Sequence, residues 1–336
     1  MAFLQIIWFV LIGVLFAGYA VLDGFDLGVG AIYPFVAKTE EEKAIARASI
    51  GPVWDGNEVW LLTAGGALFA AFPAVYATVF SGFYLAMMLV LFALIFRAVS
   101  FEFRAQDPAW GGLWDWSFTI GSALPALLFG VAAGNIARGI PLAGGSYAGS
   151  FLDLLNPYAL LCGIVGLLFF VQHGATWLTL KTSGDLRERA AGIRGWGQIS
   201  YAVALALLAL TTWLVVPQRF FSVLLSPVGW VGIALAWAGI VGAIVMARNT
   251  GDRFTFYGSS ASIVGLIVMW AAAIFPNIVP SLGPAASMSV FEVSSSQLTL
   301  TVMLIIAVIG VPIMLAYTTL VYGKFAGKTE AHGDGY

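Results

Sequence analysis

Two pairs of carboxylates carry the chemistry that this sequence offers. Asp23 and Asp26 stand three residues apart in Leu22-Asp23-Gly24-Phe25-Asp26-Leu27-Gly28-Val29-Gly30, and Asp55 and Glu58 repeat that spacing in Trp54-Asp55-Gly56-Asn57-Glu58-Val59-Trp60. On a helix this spacing puts both acids of a pair on one face. The first pair lies inside an apolar stretch long enough to cross a bilayer, and the second opens another. A charge at the centre of a bilayer costs about 2.5–3.5 kcal/mol on insertion scales, so such acids face protein or a water-filled path rather than lipid. A carboxyl can bind and release a proton, and a series of them entering from one side of the membrane is what a proton input path needs. Structural readings stand beside this one. Asp23 and Asp26 can bond a neighbouring helix, and the helix dipole stabilises Asp55 and Glu58 in a first turn regardless of function. Gly24 and Gly28 form a GxxxG pair that lets a neighbouring helix approach closely and shields the acids from lipid.

The elements that must position these residues follow from composition. Of the 336 residues 60% are hydrophobic and 10% charged, against roughly 25% charged in an ordinary soluble domain. Apolar runs of spanning length fall at about 4–36, 52–72, 75–98, 115–138, 155–180, 196–216, 227–247, 257–276 and 297–323. They predict an all-α membrane protein of about nine spans in one transmembrane domain over residues 1–336, with 324–336 as a tail. The second run is the least regular, because Asp55, Asn57 and Glu58 interrupt its start. Of the 15 Lys and Arg, all but Arg138 and Arg219 fall in the odd-numbered connectors and the tail. Basic connectors stay in the cytoplasm, which predicts an outer N-terminus and a cytoplasmic C-terminus. The connectors 139–154 and 277–296, rich in Gly, Ser and Pro, are then outer loops, and Ser294, Ser295 and Ser296 suit the N-cap of the last helix. Two groups of four helices plus one extra helix is a natural packaging for nine.

Other chemistry finds little support. No basic run marks a nucleic-acid partner. Cys162 is alone, so no internal disulfide forms. His173 and His332 are the only histidines, too few for several haems; His173, beside Gly174 and Thr176, suits a hydrogen-bonded packing role, and no metal site is expected. Trp54, Trp60, Trp110, Trp114 and Trp116 cluster at helix ends, where an aromatic belt is the ordinary explanation. No P-loop, GxSxG or HExxH pattern occurs.

The two acidic blocks together resemble subunit II of the cytochrome bd quinol oxidases. Further blocks agree in order: Thr63-Ala64-Gly65-Gly66-Ala67-Leu68-Phe69-Ala70-Ala71, Phe80-Ser81-Gly82-Phe83-Tyr84, Phe96-Arg97, Leu155-Asn156-Pro157, Gly174-Ala175-Thr176 and Ser295-Ser296-Gln297-Leu298-Thr299-Leu300. The resemblance implies two four-helix bundles plus one peripheral helix in the bacterial cytoplasmic membrane. It implies a haem-free chain beside a subunit I that carries haems b and d, oxidises quinol and reduces oxygen to water. It places Asp23, Asp26 and Asp55 among the acidic proton-route positions and Trp60 near a hydrophobic oxygen passage, with Trp54 in the same block. Some family members have Gln at the position of Glu58, some bind a long-chain quinone in this subunit, and small single-helix subunits can accompany the pair. A proton-coupled secondary transporter is the alternative from another class, since buried acids in Gly-interrupted helices also mark coupling sites. The confinement of the acids to the first helix hairpin argues against it. A purely structural assembly subunit is the third option.

Overall fold

The computed structural model describes residues 1–249, 251–283 and 285–330; His332 lies outside them. The chain forms α1 (Ala2–Val36), α2 (Glu40–Ala48), α3 (Trp54–Ala71), α4 (Pro73–Gly82), α5 (Tyr84–Gln106), α6 (Gly111–Arg138), α7 (Pro157–Lys181), α8 (Gly184–Val215), α9 (Pro217–Leu224), α10 (Pro227–Asn249), α11 (Asp252–Ile274) and α12 (Gln297–Lys324). Among the described residues 8 helices are long and apolar enough to cross a membrane. The one expected span outside these 8 is the second, 52–72, which forms α3; its 18 residues carry the polar start anticipated for it and fall short of the others in hydropathy.

Proline sets several boundaries, because the residue before it is pushed out of the helical region. Phe72 before Pro73 ends α3, and Val216 before Pro217 ends α8. The expected span 75–98 needs correction for this reason. Pro73 starts a separate helix of 10 residues, about 15 Å long and so too short to cross. The true span is α5, which begins after the buried Phe83 and runs on to Gln106. The span expected at 196–216 likewise begins earlier, at Gly184.

Helices α1, α3, α5 and α6 pack as one bundle and α7, α8, α10 and α11 as a second, while α12 lies outside against α1 and α3. The bundles meet along α7, which packs against both α1 and α6. A Cβ on Gly28 would overlap the Phe170 carbonyl oxygen and the Gly174 backbone, and a Cβ on Gly24 would press into the Phe170 ring. The helix backbones therefore touch only because side chains are missing there.

The two ends of the molecule differ. One gathers the basic connectors. Asp115 accepts from Lys43 at 2.8 Å and from Arg104 at 2.7 Å, and Asp252 accepts from Arg187 at 2.7 Å and from Arg194 at 2.8 Å. Arg189 on α8 reaches the Val36 carbonyl at 2.7 Å and pairs with Glu42 on α2, which ties the bundles together. Hydrogen bonding from Lys43, and then from Arg104, holds the exposed Glu40 below the usual carboxylate range. The other end carries two short hairpins, β1 (Leu142–Ala143) with β2 (Ser146–Tyr147) and β3 (Asn277–Val279) with β4 (Met288–Ser289). The first turns through Gly144 and Gly145, both at positive φ, as a two-residue turn of this twist demands. Ser296 caps α12 by accepting from the Thr299 N–H at 3.2 Å. Substituting Gly28 by Ala should destabilise the purified protein by about 1–3 kcal/mol, as overpacking does; the thermal unfolding midpoint measures it, and an unchanged midpoint would disprove the close crossing.

Candidate functional site

The site is assembled from α1, α3 and α5, with one residue added from α12. Asp23 and Asp26, both at 0% exposure, project from the centre of α1. Arg97, at 1% exposure, comes from α5. The sequence reading counted Arg97 among the connector charges at the end of the span 75–98, but it is buried within α5, inside the bundle. Its Nη2 donates to Asp23 Oδ1 at 3.0 Å and its Nη1 to Glu58 Oε1 at 2.5 Å. A guanidinium buried this deeply stays charged and must be matched by anions. The Trp54 ring stands 5.9 Å from it, within reach of a cation–π contact.

Asp26 is held differently. Asn57 on α3 donates through Nδ2 to Asp26 Oδ2 at 2.7 Å and to the Leu22 carbonyl at 3.2 Å, and accepts from the Tyr322 hydroxyl on α12 at 2.9 Å. Asp26 thus bonds a neutral amide where Asp23 bonds a cation. Asp26 Oδ1 and Arg97 Nε are buried without a protein partner. Such orphaned polar atoms are uncommon in native interiors and leave the cluster with hydrogen-bonding capacity.

The four sequence candidates therefore part company. Asp23, Asp26 and Glu58 converge across the first hairpin. Glu58 lies at the rim, with 27% of its side chain exposed. Asp55 stands exposed at the start of α3, apart from the buried set. Trp60 is not a belt residue: it is buried, and a Cβ on Gly18 of α1 would collide with its ring. Trp110 and Trp116 are exposed at the start of α6. Sequence reasoning missed Asn57 as a ligand of Asp26 and Tyr322 altogether. The only signal for Asn57 was its place between two acids.

His173 is not placed to ligate a haem. His173 is fully buried with both ring nitrogens engaged, Nδ1 with Ser259 Oγ at 2.7 Å and Nε2 with the Val21 carbonyl at 3.0 Å. Nε2 must donate to that carbonyl, and the lone pair on Nδ1 is turned to the Ser259 hydroxyl, so His173 has none left for an iron. Among the described residues no group of three or more His, Cys, Asp or Glu converges as a metal site would require.

A helical membrane chain in two four-helix bundles, with a charged cluster sealed in the first, defines a multi-pass membrane subunit rather than a soluble enzyme. The model of the family described as cytochrome bd terminal oxidase subunit II matches residues 4–325, and the chain belongs to that family. It is 41% identical to the probable cytochrome oxidase subunit 2 of Haemophilus influenzae, over 98% of this chain and 96% of that one. It is 39% identical to the cytochrome bd-I ubiquinol oxidase subunit 2 of Escherichia coli, covering 97% and 95%. The cytochrome bd ubiquinol oxidase subunit 2 of Bacillus subtilis is 37% identical, with 98% of each chain covered. In fold it is similar to a chain of the bd oxidase from Geobacillus thermodenitrificans, with a TM-score of 0.80 at 13% identity over 97% of this chain and 99% of that one. The chain is accordingly a subunit of a quinol oxidase complex in the bacterial inner membrane, and the transporter reading falls away.

Replacing Arg97 by Met should cost about 3–5 kcal/mol, because it strands the buried Asp23 carboxylate and leaves Glu58 unpaired. Adding Asp23→Asn should recover part of the loss. Thermal unfolding of the single and double variants measures both, and strictly additive losses would contradict the pairing.

Proposed function

We propose that this chain conducts protons from the cytoplasm to the haem-bearing subunit I, where quinol is oxidised and oxygen is reduced to water on haems b and d. The observation that carries the proposal is the intramembrane cluster of Asp23, Glu58 and Arg97 beside Asp26. Buried ionisable groups at membrane depth are expensive and mark transport paths. Asp55, exposed at the mouth, collects protons; Glu58 at the rim passes them inward; Arg97 fixes Asp23 and Glu58 by charge. Asp26, bonded to an amide rather than to a cation, is free to exchange its proton. The apolar exposed face of α3 and α5 around Glu58, with Val59, Leu62, Phe92 and Phe96, suits subunit I as its cover, since lipid would be a poor neighbour for an acid.

The basic end faces the cytoplasm in this scheme, by the excess of Lys and Arg there. Taking protons from that side while quinol protons leave on the other moves charge across the membrane. The Escherichia coli and Bacillus subtilis relatives are named for ubiquinol, and a quinol is the electron donor we assign to the complex here.

In the purified two-subunit oxidase, Asp26→Asn should lower turnover and proton uptake by about tenfold or more, within the range that positioned proton transfer contributes. Glu58→Gln should have a smaller effect, because the amide still bonds Arg97. Oxygen consumption and proton uptake both unaltered in Asp26→Asn would eliminate the route. Orientation has its own test: in a Cys162→Ser background, a cysteine placed at Ser146 should react with a membrane-impermeant thiol reagent added to intact cells, and one placed at Ser183 should not. The reverse pattern would invert the topology.

A further inference from the structure

The last helix is the least buried of the candidate spans, and it is held by polar contacts near its two ends. Only 6% of the most apolar stretch of α12 is buried. Near its basic end Tyr322 turns inward and donates to Asn57 Oδ1 at 2.9 Å. Both hydrogens of that amide are already committed, one to Asp26 Oδ2 and one to the Leu22 carbonyl. Rotating the amide would set its oxygen against two acceptors, so the orientation is fixed, and Tyr322 supplies the donor that the oxygen needs. Asn57 is 2% exposed, so without Tyr322 its oxygen would lose a partner that water could not readily replace.

The position of Tyr322 is itself fixed from two sides. Its ring meets Phe25 edge-on at 6.5 Å and Trp177 at 6.3 Å. Just beyond it the chain is clasped to the end of α7. Lys181 donates to the carbonyls of Phe325 and Gly327, and Lys328 donates back to those of Thr179 at 3.0 Å and Thr182 at 2.8 Å. The Thr329 N–H closes the clasp on the Lys181 carbonyl at 2.7 Å. A helix with so little buried surface thus has its end pinned where the tyrosine reaches the acid cluster.

We infer that Tyr322 is a positioning residue for Asp26: it holds the Asn57 amide that bonds the carboxylate, and the Lys181–Lys328 clasp holds Tyr322. The inference rests on the proton-route reading for its consequence in turnover, and not for the positioning itself. Tyr322 does not hand a proton to Asp26 directly, because the amide stands between them.

Tyr322→Phe keeps the ring and removes only the hydroxyl. In the intact oxidase it should lower turnover about three- to tenfold, the loss expected of one net hydrogen bond, with the KM for quinol unchanged. The infrared bands of the Asp26 carboxyl group, assigned by their disappearance in Asp26→Asn, should shift in Tyr322→Phe. Combining Tyr322→Phe with Asn57→Ala should do no more than Asn57→Ala alone. Lys328→Met should move the same bands in the same direction, and it serves as a second variant should Tyr322→Phe fail to assemble. Bands that stay in place in both variants would overturn the inference even where Asp26→Asn abolishes proton uptake. Bands that shift while Asp26→Asn leaves proton uptake intact would keep Tyr322 as a positioning residue and discard the route.

Discussion

A guanidinium enclosed within a membrane bundle is the constraint around which the first half of this protein is organised. Arg97 is at 1% exposure, and no arrangement of apolar neighbours could satisfy it. Its two anionic partners come from two other helices, so one side chain specifies how α1, α3 and α5 must pack. Removing a partner leaves a buried charge uncompensated, which costs far more than the pair contributes when complete.

The central position of α1 follows from the residues on its other faces. Gly28 admits the backbone of α7, while the Trp60 ring of α3 fits over Gly18. The Val21 carbonyl receives His173 from the second bundle at 3.0 Å, two residues before Asp23. The turn that presents the acids is therefore gripped by both bundles. A rigid mount of this kind would keep donor and acceptor geometry within the narrow limits that the proposed proton transfer needs. The acids themselves belong to the first bundle, whose α3 and α5 face is exposed and apolar, and the second bundle serves them as a brace.

Helix α12 adds a further support from the periphery. Its basic end is tied to α3 through Tyr322 and to α7 through the lysine clasp. Packing contributes little there, because most of the helix faces outward. Directional hydrogen bonds instead decide where its end lies, and in a low-dielectric setting an unmade bond of this kind is costly.

The sequence by itself determined the membrane class, the approximate number of spans, the alternation that collects basic connectors at one end, and that Asp23, Asp26 and the GxxxG pair face protein rather than lipid. These are sums and periods along the chain, and the cost of exposing charge to lipid makes them readable without partners. Tertiary structure decided which groups meet. Asn57 and Tyr322 bond across 265 residues of chain, and Arg97 reaches Asp23 across 74; no local pattern encodes either pairing. Hydropathy placed Arg97 at a membrane edge because it averages over a window, whereas a paired ion inside a bundle escapes the penalty that the average assumes. The spacing of Asp55 and Glu58 promised a joint role, but the packing of α3 turned Glu58 toward Arg97 and left Asp55 exposed. Helix rotation is fixed by contacts with neighbouring helices, and those contacts exist only once the bundle has formed.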